Sequence, residues 1–349
     1  MTGVDTTGDV LALLIRRYAF REIAALLGAG LLAEDIPPHR AAVAQQLCAY
    51  GQRLFDLDGE DLANPDAATG ANLDTSLVDS THDHVPAHLI RRGAQCRMPQ
   101  SPDEEPRAAL RTLVPAYQLV LEVVAARWRR HETASLLAAL HIASQYSYLL
   151  AWERALGHAG DPTRLVRDET VVGLDSRFGV WEATDCPHTR PERAAASRAL
   201  RVSRSTDLSW RNYLDRQHST MARALGVCAA NCMTPCTVMG SRREAERVRL
   251  GAACRAAFAF AESAVIRMRH AAPVGHGFGL PSRDEVATAW QGSRIVIARH
   301  GEVAAAVLAE DGFPLPGLPS LLSGIAGRRL RPDTLLADTA AEITARLTP

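Results

Sequence analysis

The chain has no lysine; all 39 of its Lys+Arg residues are arginine. Without an ε-amine there is no Schiff base, no pyridoxal anchor, no phosphate-binding loop of the Lys-bearing kind and no lysine of the protein-kinase type. No G-x-S-x-G is present to form a nucleophile elbow, and no G-x-G-x-x-G marks a nucleotide fold. An excess of either charge is missing too, since 39 acidic residues balance the 39 basic ones. No global field therefore draws the chain to nucleic acid or membrane, and contact with nucleic acid must come from a local patch. Arg127, Arg129 and Arg130, or Arg242, Arg243, Arg247 and Arg249, are the local patches available. The uncharged stretch 133–152 is long enough to span a bilayer, but His141, Ser144, Gln145 and Ser147 make it a buried helix instead. Seven cysteines, an odd count, argue against a disulfide framework. Asp5 and Asp9 precede the first apolar run and no small-residue cleavage site follows, so a cytoplasmic protein is expected, with no membrane association.

What is present is apolar mass, 47% of 349 residues, enough for two domains or one large one with an appendage. The pattern predicts a mainly α protein. A helical N-terminal domain over 1–163 is expected, with two or three helices in 8–57 broken at Pro37-Pro38, and a polar loop over 58–80. Leu110, Leu113, Val114, Tyr117, Leu121, Val124 and Trp128 recur at steps of three and four, predicting one continuous amphipathic helix. A second, buried helix over 132–156 stops at Gly157, so the two form a helical hairpin that can sense a small-molecule ligand or dimerise. Residues 164–206 read as a connector with a short strand at 178–181, and 207–272 as a second helical region. The remainder, 281–349, reads as a small α+β module. There Arg294-Ile-Val-Ile-Ala-Arg299, His300-Gly301 and 302–309 predict a strand, a turn and a strand, a β-hairpin.

Several constellations can carry chemistry. His82, His84 and His88 form an H-x-H-x3-H cluster beside Asp79 and Asp83, a spacing that suits a divalent metal if the backbone changes from extended to helical near Pro86. Cys228, Cys232 and Cys236 recur every fourth residue, with Cys254 beyond; Pro235 interrupts their helix, which favours buried packing thiols. Arg21-Glu-Ile-Ala-Ala-Leu-Leu-Gly28 and Met221-Ala-Arg-Ala-Leu-Gly-Val227 each have the small-residue helix closed by glycine that begins a helix-turn-helix. After the second of these, Asn231, Thr234, Arg242 and Arg243 fall where a following helix meets bases or phosphates.

Two family resemblances arise from the quoted residues. Residues 283–313, a helix, Gly292, a run ending Arg299-His300-Gly301 and a second run rich in Ala and Val, resemble the prevent-host-death (Phd/YefM-type) antitoxins. That resemblance implies a dimeric module that binds operator DNA or a partner protein. Arg267-Met-Arg-His270 with Val274, followed by Gly275-His276-Gly-Phe-Gly279, is similar to the proximal-histidine region of the tryptophan 2,3-dioxygenase-like heme oxygenases, an all-helical family. It implies heme held by His270, with the Gly-rich loop around His276 near the substrate. The leading expectation is therefore a cytoplasmic, homodimeric regulatory or DNA-associated protein with a helical sensing core, its phosphate contacts made by arginine. The alternatives are a histidine-ligated heme-dependent aromatic oxygenase or metal-dependent oxidase, and a non-enzymatic partner-binding protein.

Overall fold

The structure, a computed structural model, describes residues 6–32, 36–58, 85–165, 242–271 and 279–348, together with residues 210, 214, 226, 227, 229 and 230. Among the described residues every regular element is helical. The longer helices are α1 (Thr6–Arg16), α2 (Phe20–Gly28), α3 (Pro38–Phe55), α4 (Ala87–Gln95), α5 (Val114–Arg130), α6 (Thr133–Leu156), α7 (Glu244–Ala261), α8 (Arg283–Ala298), α9 (Leu318–Ala326) and α10 (Leu335–Leu347). Two compact units divide them. The first holds α1 to α4, α5 from Gln118 onward, and α10; the second holds the first turn of α5 and α6 to α9.

The first unit is built around α3. Beyond His39 no residue of that helix is exposed, because α2 and α10 pack along it. Tyr50, 2% exposed, donates its hydroxyl to the Leu89 carbonyl on α4 at 2.7 Å. Gly93, one turn on, is glycine because a Cβ there would collide with the same hydroxyl. Arg127 and Arg130 of α5 lie over the Phe55 ring, and Arg127 also donates to the Phe55 carbonyl at 2.7 Å. These two arginines are thus holding α5 to the end of α3.

The second unit is built around α6, whose buried residues come from all its faces: Leu136, Leu140, Ser144, Ser147, Leu149, Leu150 and Trp152 among them. Two of its buried hydroxyls bond within the helix, Ser144 donating to the His141 carbonyl and Ser147 to the Ser144 carbonyl. The helix stops at Gly157, in the left-handed conformation with φ 73°, as its sequence requires. Helix α7 lies along α6, and α9 packs on both. Glu153, 4% exposed, accepts from Thr112 Oγ1 at 2.7 Å and from the Leu113 amide at 2.8 Å, and pairs with Arg328.

Two expectations need correction here. The stripe from Leu110 to Trp128 is not one helix: Ala108–Arg111 ends at Thr112, whose φ and ψ of −155° and 131° are extended, and α5 begins at Val114. Pro115 lacks an amide hydrogen and fits a first turn, not a helix interior. The β-hairpin at 294–309 is likewise not what forms. Residues 294–298 continue α8, Gly301 with φ 113° precedes the short helix Glu302–Ala305, and 306–308 are a 3-10 turn. The physical reason is burial: Val286, Trp290, Ser293, Arg294 and Ile297 recur at helical steps and are buried. A capping box completes the helix start, Ser282 Oγ accepting from the Glu285 amide at 3.2 Å and Glu285 Oε2 from the Ser282 amide at 2.7 Å. The β-branched run Ile295-Val296-Ile297 imitates a strand, but the helix period and the cap outweigh it. Arg294, 5% exposed, then ties α8 to the segment after Gly301, donating to the Val307 carbonyl at 2.9 Å and pairing with Glu310 at 2.6 Å.

Candidate functional site

The region around His270 is built from the end of α7. That helix stops at Ala261, Ser263 opens the short helix Ala264–Arg267, and Met268–Ala271 tightens into a 3-10 turn that carries His270. The short helix and the turn both pack against α6, and Val265 and Ile266 are buried. The Val265 amide donates to Ser293 Oγ of α8 at 3.2 Å, so α6 and α8 together position this segment. Ser263 is 5% exposed, and its hydroxyl has no hydrogen-bond partner among the described residues. A buried hydroxyl without a partner is costly unless something else satisfies it. His276 and the rest of 272–278 lie outside the described residues.

The DNA-contact candidates are not brought together. Asn231 and Thr234 lie outside the described residues, as do Cys228, Cys232 and Cys236. Arg242 is folded back onto its own unit: Nη1 donates to the Ala155 carbonyl at 2.9 Å and lies 3.7 Å from Glu246, with 12% of the side chain exposed. Arg243, at the start of α7, is exposed. The segment 21–28 does form α2, but the helix after it is the buried α3, and Arg40 of α3 donates to the Ala345 and Thr348 carbonyls at 2.7 Å. A recognition helix needs a free face, and α3 has none beyond His39.

The metal candidates are divided in the same way. His82 and His84 lie outside the described residues, and His88 is exposed in the first turn of α4. Among the described residues there is no group of three or more His, Cys, Asp and Glu able to hold a metal ion. Cys254 is fully buried in α7, and burial raises its thiol to about 12, in keeping with a packing role. No helix among the described residues is long and apolar enough to cross a membrane.

Two further sites were missed in the sequence. A cleft of about 300 Å³ opens beside α2 and α3, with Arg21, Arg53, Asp56 and Asp58 around Phe20 and Cys48. Its charges already satisfy one another: Asp56 accepts from Arg21 at 2.7 Å and from Gln52 at 2.8 Å, and Arg53 lies 3.8 Å from Asp58. The other site is a buried carboxylate. Glu122, 6% exposed on α5, accepts from the Leu336 and Ala337 amides, each at 3.1 Å, and so caps the N-terminus of α10. Burial raises Glu122 to about 7, the two amides oppose that shift, and Asp333 and Asp338 add to it. Arg92 of α4 bridges both aspartates, at 2.6 Å from Asp333 and in contact with Asp338. The signal for Glu122 was its place as a lone carboxylate in Leu119-Val-Leu-Glu-Val-Val124, an otherwise apolar run.

Compared with protein-family models, curated proteins and solved structures, the chain matches none.

Proposed function

We propose that the chain is a cytoplasmic, all-helical heme-binding oxygenase acting on a small aromatic molecule, with His270 as the axial ligand. The observation that carries this reading is the seat of the His270 turn. It packs against α6, a largely buried helix, and Ser263 opens that segment with a buried hydroxyl that has no partner among the described residues. The resemblance of Arg267-Met-Arg-His270 to a proximal-histidine segment supports the same assignment, and so does a fold whose described elements are all helices.

Residue types at this helix end are of the kind that would hold such a group. Histidine is a common axial ligand of heme iron, and His270 is the histidine that this turn carries. Arg267 and Arg269, at the same helix end, are the cations at hand for its carboxylates, and Ser263 offers a hydroxyl to a ligand's polar atom. When bound, heme supplies a redox-active iron that activates dioxygen. The regulatory or DNA-associated reading keeps Arg129, Arg243 and Arg249 as exposed arginines among the described residues, on two separate helices.

Titration of the purified chain with hemin, followed by absorbance, tests the proposal. One heme per chain with a sharp Soret band, lost in His270→Ala while far-UV circular dichroism is unchanged, is expected. No saturable band in the wild type would remove the proposal. Salt-sensitive retention of duplex DNA by a heme-free chain would restore the DNA-associated reading in its place.

A further inference from the structure

Helix α8 buries Val286, Trp290, Ser293, Arg294 and Ile297 within its own unit. The opposite face runs Glu285, Thr288, Gly292, Val296 and Arg299 at steps of three and four, with Ile295 beside it, and all six residues are exposed. Ile295 and Val296 leave 57% and 52% of their surface in water, on a helix otherwise well packed. Gly292 sits at the middle of this face. Glycine in mid-helix is destabilising relative to alanine, so it calls for a reason. Packing within the chain gives none, since a Cβ at Gly292 would meet nothing within 4 Å. Its backbone gives none either, because Gly292 is not among the positive-φ glycines.

The charges on this face are arranged about that glycine. Glu285 and Arg299 lie equally far on either side of position 292, and so do Thr288 and Val296, and Asp284 and His300. Arg299 makes no ion pair among the described residues, and the exposed Glu285 carboxylate has the amide and hydroxyl of Ser282 as its partners there but no cation. Two copies of α8 laid antiparallel about a two-fold axis at Gly292 would set each Glu285 against the other copy's Arg299. Thr288 would meet Val296, and the paired glycines would let the two backbones approach at the crossing. A parallel pair would instead oppose Glu285 to Glu285 and Arg299 to Arg299.

From this we infer that the outer face of α8 is the interface of a two-fold homodimer, in which a second copy of this chain packs antiparallel, crosses at Gly292 and closes Glu285–Arg299 ion pairs at both ends. The inference does not depend on what the chain binds elsewhere.

Sedimentation velocity of the full chain over a range of concentrations tests it. The wild type is expected to show a reversible monomer–dimer equilibrium that weakens with salt. Gly292→Gln is expected to be monomeric with an unchanged or raised Tm, because the new side chain meets nothing in its own chain and replaces a poor helix former. Glu285→Arg alone and Arg299→Glu alone are expected to be monomeric, whereas their equimolar mixture dimerises, since every arginine then meets a glutamate. A wild type monomeric at every concentration overturns the inference. So does a dimer that survives Gly292→Gln, or a mixture that remains monomeric.

Discussion

Replacing Glu122 by glutamine isolates a buried carboxylate that burial pushes towards neutrality. In the folded chain burial raises this group from its ordinary 4.5 to about 7. The sign then follows from proton counts. Between these two values the folded chain holds a proton that the unfolded chain has released, so stability falls as pH rises through that window. A displacement of this size corresponds to about 3 kcal/mol across the window, at about 1.4 kcal/mol per pH unit. Asp338 acts in the opposite sense: burial works against its ionisation, but Arg92 and Thr334 hold it below the usual aspartate range. Its contribution is therefore present above the ordinary aspartate range and lost only in acid, outside the Glu122 window. Glu122→Gln removes the titration but keeps the shape, and its single carbonyl oxygen can serve only one of the Leu336 and Ala337 amides. Leaving the other unpaired costs about 1–3 kcal/mol. Urea unfolding at pH 5, 6, 7 and 8 is the assay. The wild-type midpoint is expected to fall across the series, and that of the variant to start lower and stay nearly flat. Equal pH slopes in the two proteins would refute the assignment.

Two further predictions concern the packing of each unit. Arg107 donates to Asp161 through Nε and Nη2, both at 2.8 Å, and Asp161 is fully buried, so Arg107→Met leaves an unpaired buried carboxylate. A loss of about 3–5 kcal/mol is expected, and Arg107→Met combined with Asp161→Asn should recover part of it in thermal unfolding. Gly93→Ala drives a methyl group into the Tyr50 hydroxyl and is expected to cost about 1–3 kcal/mol, whereas the double variant Gly93→Ala, Tyr50→Phe loses less. An unchanged Tm in Gly93→Ala would contradict the close approach of α3 and α4.

Much of the helical architecture is legible in the sequence, and the reasons are local. Gly157 ends α6 where a left-handed residue is needed, and the apolar run 133–152 is the buried helix its polar residues implied. What misled was chemistry shared by two secondary structures. Ile295-Val296-Ile297 reads as a strand over a short window, but over a longer one Val286, Trp290, Arg294 and Ile297 keep a helical period behind a capping box. The helix-turn-helix reading of 21–28 found a real helix, yet only long-range packing by α10, some three hundred residues away in the chain, reveals that α3 has no free face. The same holds for Arg242, whose carbonyl partner Ala155 is remote in sequence. Glu122 was hidden for a related reason: its partners, the first amides of α10, are backbone groups that no side-chain pattern marks.

A cavity-rescue measurement tests most directly the proposed role of His270 as the ligand of a heme iron. His270→Ala, mixed with hemin and then with free imidazole, should regain the wild-type Soret band as the added ring replaces the missing one. A variant that binds heme with the wild-type spectrum before imidazole is added would contradict it.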